Sequence, residues 1–323
     1  MHIFVTGGAG YIGSICSEQM IDSGHQVTIF DNLTEGHRAA LDPRATFIEG
    51  DLADREKIAA AVAGAKPDAI MHFAANALVG ESMTNPSKYF RNNVGAGVNL
   101  LDAAVGAGVK KFIFSSTCAT YGTPERVPMD ERLPQKPINP YGQSKLMFEQ
   151  VLHWYDKIHG LVHVNLRYFN AAGASVRFGE DHRIETHLIP NVLKVALGQK
   201  DTCEIYGEDY ATPDGTCIRD FIHIHDLAAA HMLALGRETS TSYNLGSGEG
   251  FSVRQVIDVA RKVTGHPIPC VVKEARAGDP PRLVAASHKI TSELGWRPKY
   301  NRLQPILESA WAWHRKHPHG YGD

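Results

Sequence analysis

Short apolar, β-branched runs recur along the first half of the chain, at Ile3 to Val5, Val27 to Phe30, Thr46 to Ile48, Ala69 to Phe73, Phe112 to Ser115 and Val164 to Leu166, with stretches of helical period between them. Continuous apolar strands are those a parallel sheet buries on both faces, and the intervening helices supply the crossovers. The pattern predicts an α/β fold built on a doubly wound, Rossmann-type parallel sheet. Beyond Phe169 the rhythm becomes irregular, with Gly- and Pro-rich stretches such as 207–215 and Gly278-Asp279-Pro280-Pro281 between two clear helical segments. A smaller mixed α/β lobe is expected there. The division is residues 1–168 for the sheet domain and 169–323 mainly for the second lobe, some of whose segments return to the first. The His- and Gly-rich end from His314 to Asp323 reads as a solvated tail.

Composition adds limits. At 323 residues, 43% of them hydrophobic, the chain exceeds what one compact core usually holds, which again argues for two lobes. Its net charge is −2 and its Lys and Arg residues are scattered, so neither nucleic acid nor an anionic membrane is an expected partner. Five widely spaced cysteines without a CxxC pair argue against disulfides and a zinc site and fit a reducing cytosol. Met1-His2-Ile3 enters a strand pattern without a basic leader, and no apolar run approaches the roughly 18 residues of a membrane span. A soluble, unprocessed cytoplasmic protein is expected.

Two constellations carry chemistry. Thr6-Gly7-Gly8-Ala9-Gly10-Tyr11-Ile12-Gly13 follows the first strand and opens a helix, where a tight turn brings backbone N–H groups against a pyrophosphate. Asp31 ends the second strand, 18 residues after Gly13, where a carboxylate accepts from ribose hydroxyls and repels a 2′-phosphate; NAD is therefore expected over NADP. Tyr141 and Lys145 stand four apart behind Pro140, which suits a helix's first turn and places both side chains on one face. A phenol is a poor base at neutral pH, but an adjacent ammonium and a cationic nicotinamide would favour its phenolate. A hydroxyl partner is expected from Phe114 to Gly122, at the C-terminal edge of a strand, where open α/β sheets bind ligands.

The spacing Gly7-x-x-Gly10-x-x-Gly13 resembles the short-chain dehydrogenase/reductase pattern. The order TGGAGYIGS, DNL, EGD, HFAA, VGES, NNV, SST, ATYG, PYGQSK, LRYFNAAG, GTCIRDFIHIHDLA, YNLGSG, AGDPP and HPHGYGD, over nearly the whole chain, resembles the UDP-sugar (UDP-glucose/UDP-galactose) 4-epimerases of the extended branch. That resemblance implies NAD contacts from Gly7, Gly10, Tyr11, Ile12, Gly13, Asp31, Asn32, Asp51, Leu52, Phe73, Ala74, Ala75, Asn92, Tyr141, Lys145 and Tyr168. It makes Thr117 the hydroxyl member of a triad with Tyr141 and Lys145, although a hydroxyl in a turn also bonds its own backbone. Thr117, Tyr141, Asn170, His187, Leu188, Tyr206, Arg219, Arg276 and Asp279 are implied as substrate contacts. Arg219 and Arg276 would clamp a diphosphate, which suits forked guanidinium groups, and Leu188 and Tyr206 would line the uracil, with core packing an equal reading for Leu188. The implied reaction removes the C4′ hydroxyl proton at Tyr141 as the C4′ hydride passes to NAD, turns the 4-keto sugar over and reverses the step on its other face.

The chain departs from the family pattern in three places. Thr117 stands where many members have Ser, Ala77 where some have a Lys toward NAD, and the stretch Asp279 to Ser287 is one residue shorter, which leaves the sugar-gating position between Arg282 and Leu283. Other UDP-sugars such as UDP-arabinose and UDP-xylose remain candidate substrates. A nucleotide-sugar dehydratase would need an added acid/base pair that Thr117-Cys118-Ala119 does not offer, and intact Tyr141 and Lys145 disfavour a non-enzymic NAD(H) or nucleotide-sugar sensor. His223 and His225 share a strand face without a third ligand, so no metal is expected; Asp226 reads as a helix cap. The helices 94–105 and 141–159 would pair two copies into a homodimer by presenting Leu146, Val151, Leu152 or Trp154 outward.

Overall fold

The computed structural model describes residues 1–276 and 278–322. Seven strands form one parallel sheet: β1 (His2–Thr6), β2 (Gln26–Asp31), β3 (Thr46–Glu49), β4 (Ala69–His72), β5 (Lys111–Thr117), β6 (Val162–Tyr168) and β7 (Thr241–Leu245), in the order β7-β6-β5-β4-β1-β2-β3. The first six are the apolar runs of the sequence. Side chains alternate across a strand, so Ile3 and Val5 enter one core layer with Ile15, Met20, Leu227 and Ala228, while Phe4 enters the other with Ile58, Leu100, Phe114 and Phe148. Both faces are thus covered, the first by helices Tyr11–Asp22 and Ile224–Ala234, the second by Arg55–Ala65, Gly97–Gly106 and Pro140–His159. This is the doubly wound Rossmann-type fold.

The strand order reverses between β1 and β4, and a reversal opens a crevice at the carboxyl ends of those strands. Thr6 and His72 end them side by side, with the Thr6 hydroxyl 2.7 Å from His72 Nδ1. Apart from the Ile224–Ala234 helix and β7, which join the sheet, much of the chain beyond β6 builds a second cluster. Helices Leu188–Ala196, Val253–Thr264 and Leu303–Lys316 pack around Ile189, Leu193, Val256, Ile257, Ile306 and Leu307, beside the strand pair Cys203–Tyr206 and Cys270–Lys273. Small pairings bring Ile218–Arg219, Phe251–Ser252 and Arg282–Leu283 together.

Several expectations are corrected. The end of the chain is not a solvated tail: the Leu303–Lys316 helix runs through the buried His314, and Tyr321 stacks near Trp313 while its backbone N–H donates to Asp181 Oδ2 at 2.9 Å. Trp313, Trp311 and Tyr321 supply apolar faces that the His and Gly composition hides. Asp226 is not the cap of the Ile224–Ala234 helix; His223 is, its ring accepting from His225 N, while the Asp226 carboxylate accepts from Lys299 N and Tyr300 N, both at 2.8 Å. The 94–105 helix opens with a π-helical turn, Phe90–Ala96, before Gly97–Gly106. On Pro140–His159, Leu146 and Leu152 turn inward, whereas Trp154 and Ile158 are 57% and 67% exposed. Ala277 and Asp323, in the AGDPP and HPHGYGD motifs, lie outside the described residues.

Candidate active site

The glycine turn explains itself residue by residue. Gly7 has φ +75°, and a Cβ there would stand 2.5 Å from Ala74 N, so only glycine lets the β1 turn lie against the end of β4. At Gly13 a Cβ would fall 2.1 Å from Gly7 O. Gly10 differs: its φ is −85° and its Cβ would meet nothing nearer than Gly7 O at 3.5 Å. The chain itself does not require glycine there, and the space a Cβ would fill opens beside the first turn of Tyr11–Asp22. Among the described residues no side chain caps that helix, so the N–H groups of its first turn remain available as donors to an anion. These residues fit a dinucleotide.

Asp31 ends β2 with its carboxylate accepting from Ala9 N at 3.0 Å and Leu33 N at 2.8 Å, one bond on each oxygen. A lone pair on each oxygen remains for a further donor. Burial raises its pKa, and those backbone N–H groups oppose the shift. Asn32 donates to Asp51 Oδ2 at 2.8 Å, which joins the β2 and β3 ends, and Leu52 is buried beside them. Phe73, Ala74 and Ala75 follow β4 across the crevice, where Phe73 N and Ala74 N donate to Thr6 O at 2.9 and 3.1 Å. Tyr11 closes the near wall, its hydroxyl donating to Gly173 O at 2.7 Å.

Helix Pro140–His159 starts where its sequence directs: Pro140 stands in the first turn and Asn139 caps it by accepting from Gly142 N at 2.8 Å. Tyr141 and Lys145 then point into the crevice beside the end of β5. Lys145 is 3% exposed and donates from Nζ to Ser115 O at 2.9 Å. Burial pushes its ammonium down to about 7, with the Glu149 carboxylate one turn further along opposing the shift. Burial pushes the Tyr141 phenol up to about 12, while the Thr117 hydroxyl hydrogen-bonded to it favours the ionised form. Lys145 meanwhile rests on Ser115 O and the Phe114 ring. The Thr117 oxygen also accepts from Ala119 N at 3.2 Å, the turn contact to its own backbone. Tyr168, buried at the end of β6, hydrogen-bonds Ser115 Oγ beside them.

The residues implied for substrate form a second cluster facing this one. Arg219 donates to Asp279 Oδ1 at 2.6 Å, Arg276 lies over the Tyr206 ring at 4.1 Å, and Cys118, next to Thr117, lies in the field of Arg219. Asn170 donates from Nδ2 to Asp220 O at 2.9 Å. Leu283 pairs in register with Arg219 and packs with Cys118, Tyr121 and Phe169, whereas Arg282 is exposed. Leu188 is half-buried against the second-lobe core. His187 is engaged elsewhere: its Nδ1 lies 3.1 Å from Glu180 Oε1 and 2.9 Å from Glu185 Oε1. Burial disfavours its charged form, but those two carboxylates prevail and hold the imidazole up at about 10.

Three positioning residues escape a reading of the sequence. Asn93 is buried in the π-helical turn and holds both sides of the site: it accepts from Asn76 N at 2.9 Å and donates to Asn76 O and Ser144 Oγ at 3.0 Å. Asn92, expected to touch the cofactor, donates to the Asn93 oxygen. Asp220 accepts from Ser247 N and Gly248 N of one loop and from Ala285 N of another, and so gathers two segments next to Arg219. Arg167 forks onto Glu149, Nε to Oε1 at 2.9 Å and Nη2 to Oε2 at 2.6 Å, and reaches Tyr121 OH at 2.9 Å. Each occurs within a motif, NNV, RDF or LRY, but its partners are remote in sequence and no local spacing reveals them.

The sequence profile of the NAD dependent epimerase/dehydratase family matches residues 3–246. The chain is 49% identical over 329 residues to UDP-glucose 4-epimerase of Lacticaseibacillus casei, covering 100% of this chain and 99% of that protein. It is 51% identical to the Halalkalibacterium halodurans protein of the same name, covering 99% and 98%. The crystal structure of UDP-glucose 4-epimerase from Brucella ovis in complex with NAD superposes with a TM-score of 0.93 at 44% identity, over 96% of this chain and 97% of that one. With its glycine turn, Tyr141-Lys145 pair and switch-point crevice in place, the chain belongs to the NAD-dependent epimerase/dehydratase family.

Proposed function

We propose that this enzyme interconverts UDP-galactose and UDP-glucose by inverting C4′ of the sugar through a 4-keto intermediate. The observation that carries this reading is the Thr117–Tyr141 hydroxyl pair, with Cys118, next to Thr117, in the field of Arg219. The relatives named above bear the corresponding name. Gly7, Gly10 and Gly13 with the open helix N-terminus hold the pyrophosphate of NAD, and Asp31 takes its ribose hydroxyls. The chemistry the cofactor supplies when bound is reversible hydride uptake at C4′. The Tyr141 phenolate, steadied by a hydrogen bond from the Thr117 hydroxyl, takes the 4′-hydroxyl proton and becomes the phenol, and Lys145, beside Ser115 O, would hold the ribose end of the cofactor. Arg219 and Arg276 neutralise the diphosphate, so the sugar can swing while its nucleotide stays anchored. Leu283, beside Cys118, sets the room for that swing.

NMR of UDP-galactose incubated with purified protein, without added cofactor, tests the reading. UDP-glucose should appear with no accumulation of reduced cofactor. A stable keto sugar, or no change with NAD supplied, would overturn it.

We also propose a cytoplasmic homodimer. All five cysteines are free, as a reducing compartment requires, and no helix among the described residues is long and apolar enough to cross a membrane. The exposed Trp154 and Ile158 lie on one side of Pro140–His159, one turn apart, and offer the apolar part of a two-fold interface.

A further inference from the structure

Outside the crevice, among the described residues, one cluster of side chains has the spacing of a metal site: Glu180, His182, Glu185 and His187, whose ligand atoms all lie within 4.8 Å of one another. Glu180 Oε1 stands 3.3 Å from His182 Nε2 and 3.1 Å from His187 Nδ1, and Glu185 Oε1 stands 2.9 Å from His187 Nδ1. Ligands at about 2.0–2.1 Å from a tetrahedral ion are separated by about 3.3 Å, so these distances approach those a small cation imposes. The two carboxylates are buried, with side-chain exposures of 5% and 4%, and the cations facing them in ion-pair contact are the two imidazoles, which stand nearer the surface at 30% and 50%. Burying two carboxylates side by side is costly unless positive charge is held between them. A neighbouring cavity lined by Glu180, Glu185, Lys194, His314 and Gly320 gives an ion a path to the cluster.

We propose that Glu180, His182, Glu185 and His187 bind one structural zinc ion. Two imidazole nitrogens and two carboxylate oxygens form a borderline donor set, which favours zinc over magnesium or calcium, and four protein ligands leave no open position for catalysis. The ion closes the loop that runs from Gly173 to the Leu188–Ala196 helix. That loop begins at the carbonyl held by Tyr11, and the His182 ring meets the Tyr11 ring edge-on at 6.2 Å. Zinc therefore braces the second lobe against the helix that follows the glycine turn. It also commits His187 to the metal rather than to the substrate contact implied by the family resemblance. The segment has the spacing E-x-H-x-x-E-x-H, distinct from the His223–His225 pair.

The test is metal content and zinc titration of the purified, cofactor-loaded enzyme, followed by elemental mass spectrometry. After chelation and dialysis, added zinc chloride should return to one ion per chain and raise the melting temperature. His182→Ala, at the more exposed edge, and Glu180→Gln should each weaken zinc by more than about 10–100-fold, the range for loss of even an outer partner. If Glu180→Gln fails to fold, His182→Ala alone decides. Absence of a stoichiometric zinc site, or zinc binding that His182→Ala leaves unchanged, shows the four groups to be an ion-pair cluster only and overturns the proposal.

Discussion

At the level of single residues, the proposed reaction rests on Tyr141 as base, while the burial of Lys145 has a cost in folding. Replacing Tyr141 by Phe keeps the ring but removes the proton acceptor, and a positioned base contributes about 10²–10⁴-fold. We expect kcat to fall by that factor while UDP binding, measured by calorimetry, stays close to wild type. The Lys145 ammonium is buried and its pKa falls to about 7, against an ordinary value of 10.5 in the unfolded chain. The folded state thus binds this proton less well than the unfolded state, so the penalty from this one group is absent above pH 10.5, grows as pH falls toward 7 and is constant below that. Lys145→Met removes the penalty. Its melting temperature relative to wild type should rise as pH is lowered from 10 to 7 in cofactor-free protein, and a pH-independent difference would show that the buried ammonium is not the cause.

The glycine turn separates folding from binding within a single element. Gly7→Ala places a Cβ 2.5 Å from backbone at φ +75°, so it should destabilise the protein by at least about 1–3 kcal/mol. Gly10→Ala meets only an ordinary contact at 3.5 Å. Its cofactor-free melting temperature should match wild type while its NAD affinity drops, as read by thermal denaturation and fluorescence titration. Equal loss of stability in both variants would contradict a ligand-driven role for Gly10. Such local elements were the legible part of the sequence: the apolar run of β1, the Gly turn, and Pro140 ahead of Tyr141 each depend on neighbours a few residues away. The unread elements depend on distant partners. Strand β7 reads Thr-Ser-Tyr-Asn-Leu because it lies at the sheet's edge and bonds polar side chains of β6, Asn165 to Ser242 at 3.1 Å for example, so it lacks the apolar run that marked the others. Asn93 and Asp220 are silent for the same reason, and the docked C-terminus was hidden by its composition.

At the scale of the whole molecule, the proposed dimer depends on the outward face of Pro140–His159. Trp154→Glu with Ile158→Glu places two charges on the exposed apolar patch without touching Leu146 or Leu152, which serve the chain's own interior. Light scattering should give a dimer mass for wild type at micromolar concentration and a monomer mass for the double variant; a wild-type monomer would remove the proposed interface. Strand β7 has a different consequence, one that concerns how the protein is made. The β6 edge is covered by residues 241–245, and His163 N donates to Ser240 Oγ across 77 residues of chain. A nascent chain that has reached the end of β6 therefore leaves the ribosome with a bare, pairing-competent strand edge. It must stay unpaired through synthesis of residues 169–240, the interval in which a rogue strand from a neighbouring chain competes for it.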